Sequence, residues 1–132
     1  MRINLQERLE NMPNVEGRFR PSAYRLLYYA ACPLEGLQPQ RDFEPEHLGI
    51  EAYYHTLVKL ARQYYGPLAP TIFHTWGVTS NADIVRALHH LVDEGLMIID
   101  PKDRLEEIDE LLPITDLLRA RSMPKSVRKR NE

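Results

Sequence analysis

Five histidines are the residues of this chain best suited to metal binding or proton transfer: His47, His55, His74, His89 and His90. Two histidines on one helix share a metal most readily when they lie one turn apart, and no two of these five have that spacing. His89 and His90 are adjacent, so on a helix their side chains point about 100° apart. Each has a carboxylate four residues later, but a third ligand would have to come from a distant histidine. We therefore expect solvated or hydrogen-bonded histidines rather than a metal centre.

The sequence carries no motif for covalent catalysis or for nucleotide binding. Cys32, the single cysteine, has no nearby companions that would make it a catalytic thiol, and we interpret it as a small buried hydrophobic residue. Motifs of the form G-x-S-x-G, G-x-G-x-x-G and the phosphate loop do not occur. The acidic run from Asp100 to Glu110 lacks the ligand spacing of a calcium loop. The sequence thus predicts no catalytic residue, no metal and no cofactor.

Three pairs of adjacent tyrosines are a more informative feature: Tyr28–Tyr29, Tyr53–Tyr54 and Tyr64–Tyr65. Adjacent residues of a helix cannot face the same way, so one member of each pair leans toward a second surface. Either both members are half-buried between packed helices, or one member of each pair belongs to an exposed patch, and tyrosine is enriched where proteins meet. For a protein-binding face we take Tyr29, Tyr54 and Tyr65 as the candidates.

Charge divides the chain into an acidic body and a basic end. Through Leu112 there are 11 basic and 17 acidic residues, whereas from Pro113 onward there are six basic and two acidic residues. We predict one domain over residues 1–121 and a flexible basic tail over residues 122–132, because the tail has little apolar surface to bury. Four tail residues are candidates for contact with a nucleic acid or an acidic protein surface: Lys125, Arg128, Lys129 and Arg130.

Apolar spacing and helix-end residues predict a mainly α domain. The predicted helices run from Ile3 to Met12, from Pro21 to before Pro33, from about Gly49 to Tyr65, from Pro67 to Trp76 and from Asn81 to Glu94. Residues 33–47 are rich in proline and read as a loop. Ser80 followed by Asp83 fits a capping box, and Gly77 and Gly95 are suited to end helices.

The carboxyl-terminal half predicts a winged helix-turn-helix-like arrangement. After Gly95, Leu96–Ile99 reads as a short strand, residues 100–103 as a turn and Arg104–Ile108 as a return strand, so together they would form a β-hairpin wing. An apolar segment from Leu111 to Leu118 closes the domain.

The central motifs resemble those of a family of small bacterial proteins of uncharacterised function. That family is marked by an FGPLA, a WGV, an acidic residue and an LV-x-x-GL motif. The corresponding residues are Tyr65 with Gly66–Ala69, Trp76–Val78, Asp83 and Leu91–Leu96, and the upstream RFRPSAY and His47 fit the same layout. The resemblance covers Arg18 to about Leu112 and implies a single bacterial domain, without implying an activity.

A winged helix suggests nucleic-acid binding, but the charges of the predicted recognition helix argue against it. The helix offers Asn81, Arg86, His89 and His90 to bases and phosphates. Its carboxylates, Asp83, Asp93 and Glu94, and the acidic wing would repel phosphates. Of this helix we keep Arg86 and His90 as candidate contact residues.

Three functions remain open, and the first is our prediction. It is a non-enzymatic interaction module that binds an unknown protein partner through a tyrosine-rich helical face or the wing. The second is a nucleic-acid-associated protein that uses the tail and the helix from Asn81 to Glu94. The third is an enzyme with a pocket that gathers His55, His74 or His90. No apolar run approaches the roughly 20 residues of a membrane span and no secretory signal is visible, so we expect a cytoplasmic protein without membrane contact.

Overall fold

The computed structural model describes residues 19–31, 49–97 and 104–129, and these are mainly helical. Their α-helices are α1 (Pro21–Ala31), α2 (Ile50–Tyr65), α3 (Ala69–Trp76), α4 (Asn81–Asp93) and α5 (Ile114–Arg119). Two 3-10 segments, Gly66–Leu68 and Leu105–Glu110, connect them. The predicted helix from Ile3 to Met12, the loop 33–47 and the residues Cys32, His47 and Arg130 lie outside the described residues.

Helix α2 is the central helix of the core. Tyr54, Leu57, Val58 and Ala61 follow one another at helical spacing and are completely buried. The helix ends at Gly66, whose φ of 53° and ψ of −135° are accessible to glycine and strained for other residues. The predicted helix from Gly49 to Tyr65 is therefore confirmed to within a residue.

Helices α3 and α4 join through a turn whose ends match the predicted signals. Gly77 takes a left-handed conformation with φ 92°, and the Val78 amide donates to the Phe73 carbonyl at 2.9 Å. This hydrogen-bond pattern is a Schellman cap. At the other side, the Ser80 hydroxyl accepts a hydrogen bond from the Asp83 amide at 3.3 Å. Asp83 in turn accepts a hydrogen bond from the Thr79 amide at 2.9 Å. The predicted capping of α4 is thus confirmed.

The return strand predicted over Arg104–Ile108 is wrong, because the segment Leu105–Glu110 is a 3-10 helix. Leu105 and Ile108 are both buried, and their separation of three residues matches the repeat of a 3-10 helix, so both side chains reach the core from one face. Leu96 and Met97 are not in a strand, and the rest of the first predicted strand lies outside the described residues. Over the described ranges, the structure contains no β-hairpin wing.

The tail predicted to be flexible from Ser122 contacts the body through Val127 and Arg128. Val127 is 1% exposed, and its carbonyl accepts a hydrogen bond from the Leu112 amide at 2.8 Å. Arg128 donates through Nε to Oε1 of Glu51 at 2.8 Å. The physical reason for the difference is Val127, a single apolar side chain that inserts into the core between basic residues.

A buried polar cluster ties the carboxyl-terminal segment to α2 and α4. The Asn81 carboxamide donates to the carbonyls of Ile108 and Leu112 at 2.9 and 3.1 Å. Its Oδ1 accepts from the Ile114 amide at 2.9 Å. The Tyr54 hydroxyl donates to the Leu112 carbonyl at 2.6 Å and lies 3.1 Å from Asn81 Oδ1. This cluster holds the 3-10 segment and α5 in place.

Candidate functional site

The three tyrosines predicted to form a binding face occupy different environments. Tyr54 is completely buried, so its prediction as a contact residue is wrong: its hydroxyl belongs to the core cluster around Asn81. Tyr65 is half-buried, with its ring 5.6 Å from the Trp76 ring in an edge-to-face arrangement. Tyr29 is 45% exposed on α1. Tyr64, which was not among the predicted contact residues, is 60% exposed.

Tyr64 and Leu68 are two large, exposed side chains at the surface where α2 ends and α3 follows. Leu68 is 63% exposed, and the Tyr64 ring lies edge-on to the Tyr65 ring with centroids 6.2 Å apart, an arrangement that aromatic pairs favour. Gly66 turns the chain here, and Pro67 lies in the first turn of the 3-10 segment, so Leu68 is carried outward. We call the surface formed by Tyr64, Tyr65, Pro67 and Leu68 the α2–α3 corner.

A surface groove of about 420 Å³ adjoins the corner. It is lined by Arg62, Gly66, Pro67, Pro70, Leu118, Arg119, Ala120 and Arg121. The Arg62 guanidinium donates to the carbonyls of Leu117 and Ala120 at 2.7 and 2.8 Å, which caps the end of α5. Arg62 is therefore a structural residue, whereas the side chains of Arg119 and Arg121 are exposed.

The candidate residues of α4 are only partly available to a ligand. Arg86 is exposed, but His90 is half-buried and its Nδ1 lies 2.9 Å from the Tyr24 hydroxyl. His89 Nε2 lies 2.8 Å from Oε2 of Glu106, and this hydrogen bond is the main cause of the lowered pKa of Glu106. The acidic 3-10 segment thus lies directly beside the predicted recognition helix.

The three basic tail residues that the structure describes are exposed but not equivalent. Lys125 and Lys129 are exposed, while Arg128 forms the ion pair with Glu51. That hydrogen bond raises the pKa of Arg128. Lys125 and Lys129 therefore differ from Arg128, whose guanidinium links the tail to Glu51 of α2.

The four histidines that the structure describes do not converge on one site. Among the described residues, no three His, Cys, Asp or Glu side chains are grouped so that they could hold a metal ion. His55 lines a depression with Lys125 and Val127, to which neither His74 nor His90 contributes. No helix within the described ranges is long and apolar enough to span a membrane.

Four residues of this surface were not predicted from the sequence as contact residues: Tyr64, Leu68, Arg119 and Arg121. For Tyr64, however, the apolar pattern of α2 gave part of the answer. The narrow apolar stripe of α2 contains Ile50, Tyr54, Leu57, Ala61 and Tyr65 at steps of three and four residues, and Tyr64 falls beside it. No local pattern could reveal that α5 packs near the end of α2, which brings Arg119 and Arg121 to this groove.

The chain matches no protein-family model, no curated protein and no solved structure, so its function is inferred from its own geometry alone.

Proposed function

We propose that this protein is a non-enzymatic interaction module that binds a protein partner through the α2–α3 corner. The observation that carries the proposal is the exposure of two large side chains four residues apart in the chain, where α2 ends: Tyr64 at 60% and Leu68 at 63%. Exposed large aromatic and aliphatic side chains on one part of a surface are typical of places at which proteins meet.

Aromatic rings pack behind Tyr64, and this support favours tight binding of a partner at the corner. The Tyr64 ring is adjacent to Tyr65, and Tyr65 packs on Trp76, which is 8% exposed. A ring supported in this way loses little conformational freedom on binding, and burying the exposed part of each of Tyr64 and Leu68 contributes about 1–2 kcal/mol. The corner therefore has the properties of a small binding hot spot.

A nucleic-acid function is the second candidate, and the order α3, turn, α4 favours it. Helix α4 would be the recognition helix of a winged-helix-like half, and Arg86 is exposed on it. Glu106 hydrogen-bonded to His89 places negative charge next to that surface, and Glu107, Asp109 and Glu110 belong to the same segment. Phosphates would be repelled there, so we rank this function below protein binding.

Photochemical cross-linking in cells that make the protein tests the first function. A photoreactive phenylalanine analogue replaces Tyr64 in one variant, and Ala82, an exposed residue of α4, in the control. We expect an adduct from position 64 only, and the adducted protein, identified by mass spectrometry and purified, should bind the wild-type chain.

The double variant Tyr64→Ser/Leu68→Ser supplies the decisive comparison, with Tyr29→Ser as the matched control for loss of an exposed tyrosine. The purified partner should bind the double variant at least about tenfold more weakly, equivalent to about 1.4 kcal/mol. Equal affinity for the double variant and the wild type would exclude the corner as the binding surface. If the chain instead binds random duplex DNA or single-stranded RNA at about 50 mM salt and Arg86→Gln weakens that binding, the second function is correct.

A further inference from the structure

The groove beside the α2–α3 corner combines positive charge with an apolar floor. Pro67, Pro70 and Leu118 provide apolar surface in this groove, and its lining also includes Arg119 and Arg121. No acidic residue is among the groove-lining residues that the structure describes. We call this feature the arginine groove.

The charges of Arg119 and Arg121 are not neutralised by the described part of the chain. The carbonyls at the end of α5, which could attract these cations, already accept hydrogen bonds from Arg62. The Arg121 carbonyl also accepts from Arg62, at 3.2 Å. Within the described residues, neither guanidinium of Arg119 or Arg121 forms an ion pair, which differs from Arg128 and its bond to Glu51.

We propose that the arginine groove binds an acidic segment of the protein partner. This inference rests on the proposed function and specifies the chemistry of the partner. Carboxylates of the segment pair with Arg119 and Arg121, since a guanidinium binds a carboxylate through two parallel hydrogen bonds. An apolar side chain next to those carboxylates packs over Pro67 and Leu68, where the surface is exposed.

Charge complementarity alone would also admit a nucleic acid, but the floor of the groove favours a peptide. Proline and leucine side chains offer no flat aromatic surface inside the groove on which a base could stack. The chain as a whole carries a net charge of −2, so it does not attract a long polyanion from a distance. A short acidic segment needs only the local charge of the two arginines.

Three pools of fluorescent peptides test the proposal on the full chain. All three share a core of leucine and phenylalanine, and this core is flanked by glutamate, glutamine or lysine. In about 50 mM salt we expect the glutamate pool to bind about fivefold more tightly than the glutamine pool, and the lysine pool to bind most weakly. The advantage of glutamate should fall to about twofold or less in about 500 mM salt, because salt screens exposed charges.

Two double variants with the same change of charge locate the effect. Arg119→Gln/Arg121→Gln should abolish the preference for glutamate, whereas Arg104→Gln/Lys125→Gln should retain it. Both replace exposed side chains, and circular dichroism checks that each variant is folded. Loss of the preference in the Arg104 and Lys125 variant alone would overturn the proposal.

The other outcomes separate this proposal from the function on which it rests. If the glutamate and glutamine pools bind equally and both are lost in Tyr64→Ser/Leu68→Ser, the corner binds proteins but the acidic preference is wrong. If no peptide pool binds, and single-stranded RNA binds in a manner that depends on Arg119 and Arg121, the groove is a nucleic-acid site. Absence of binding by every pool and by RNA would overturn the proposal as well.

Discussion

Replacing Asn81 with alanine should destabilise the protein more than any other single loss of a polar side chain in the core. Asn81 is 7% exposed and satisfies the Ile114 amide and the Ile108 carbonyl. Without its carboxamide, the Ile114 amide loses its acceptor in a place that water reaches poorly, whereas the Ile108 carbonyl keeps its hydrogen bond from the Leu111 amide. The Leu112 carbonyl keeps its hydrogen bond from Tyr54.

The magnitude depends mainly on the Ile114 amide, which is left without a partner, because the Ile108 carbonyl still accepts a hydrogen bond from the Leu111 amide. A buried polar group without a partner costs about 1–3 kcal/mol, so Asn81→Ala should lower the free energy of unfolding by about 2 kcal/mol. Tyr54→Phe should cost only about 1 kcal/mol, because the Leu112 carbonyl still accepts from Asn81. In the double variant that carbonyl has lost both donors, so the combined loss should exceed the sum by about 1 kcal/mol.

Urea unfolding followed by far-ultraviolet circular dichroism measures these free energies, and Trp76 fluorescence provides a second probe. Thr79→Ala is a control for loss of a polar side chain at the exposed start of α4, and it should cost less than about 1 kcal/mol. A loss below about 1 kcal/mol for Asn81→Ala, or simple additivity in the double variant, would refute the role assigned to the cluster.

Three further perturbations probe other parts of the fold. Burial raises the pKa of Tyr54, so its stabilising contribution is complete below the ordinary tyrosine pKa and is lost as pH rises. Unfolding free energies above about pH 10 should therefore fall less steeply for Tyr54→Phe than for wild type, by up to about 1.4 kcal/mol per pH unit. Gly66→Asn should lower the melting temperature more than Gly77→Asn, because only Gly77 has the left-handed geometry that asparagine tolerates. Val127→Ala should lower the free energy of unfolding, measured in urea, by about 2 kcal/mol. The same change should speed hydrogen exchange of the Leu112 amide, which donates to the Val127 carbonyl. An unchanged exchange rate would contradict the docking of the tail.

Local signals predicted the helices because the forces that begin and end a helix act over a few residues. Ser80 and Asp83 are three positions apart, and Gly77 directly follows Trp76, so the residues that form each cap lie within about one helical turn of one another in the sequence. The same reasoning led to the start of α1 at Pro21. These elements required no knowledge of what packs against them.

The errors of prediction concern contacts between distant segments. Leu105 and Ile108 suit a strand by composition, but packing against α4 selected the 3-10 repeat that turns both side chains inward. Val127 is an isolated apolar residue in a basic run, and only the position of Leu112 explains why it docks. Tyr54 was assigned to a surface because its chain neighbour is also tyrosine, although its place in the apolar stripe of α2 indicated burial.

The spatial arrangement of charge also differs from its order along the chain, and this difference bears on function. Counted along the sequence, the basic residues concentrate at the end, which suggested a free tail as a candidate contact for a nucleic acid or an acidic protein surface. In the fold, Arg128 is paired with Glu51, while Arg119 and Arg121 lie beside the apolar α2–α3 corner. Charge next to exposed apolar surface gives a partner both orientation and burial, which a solvated tail cannot provide. Helices α3 and α4 and the turn between them then serve as a scaffold: they hold Trp76 against the Tyr65 ring, which in turn contacts Tyr64 of the proposed binding surface.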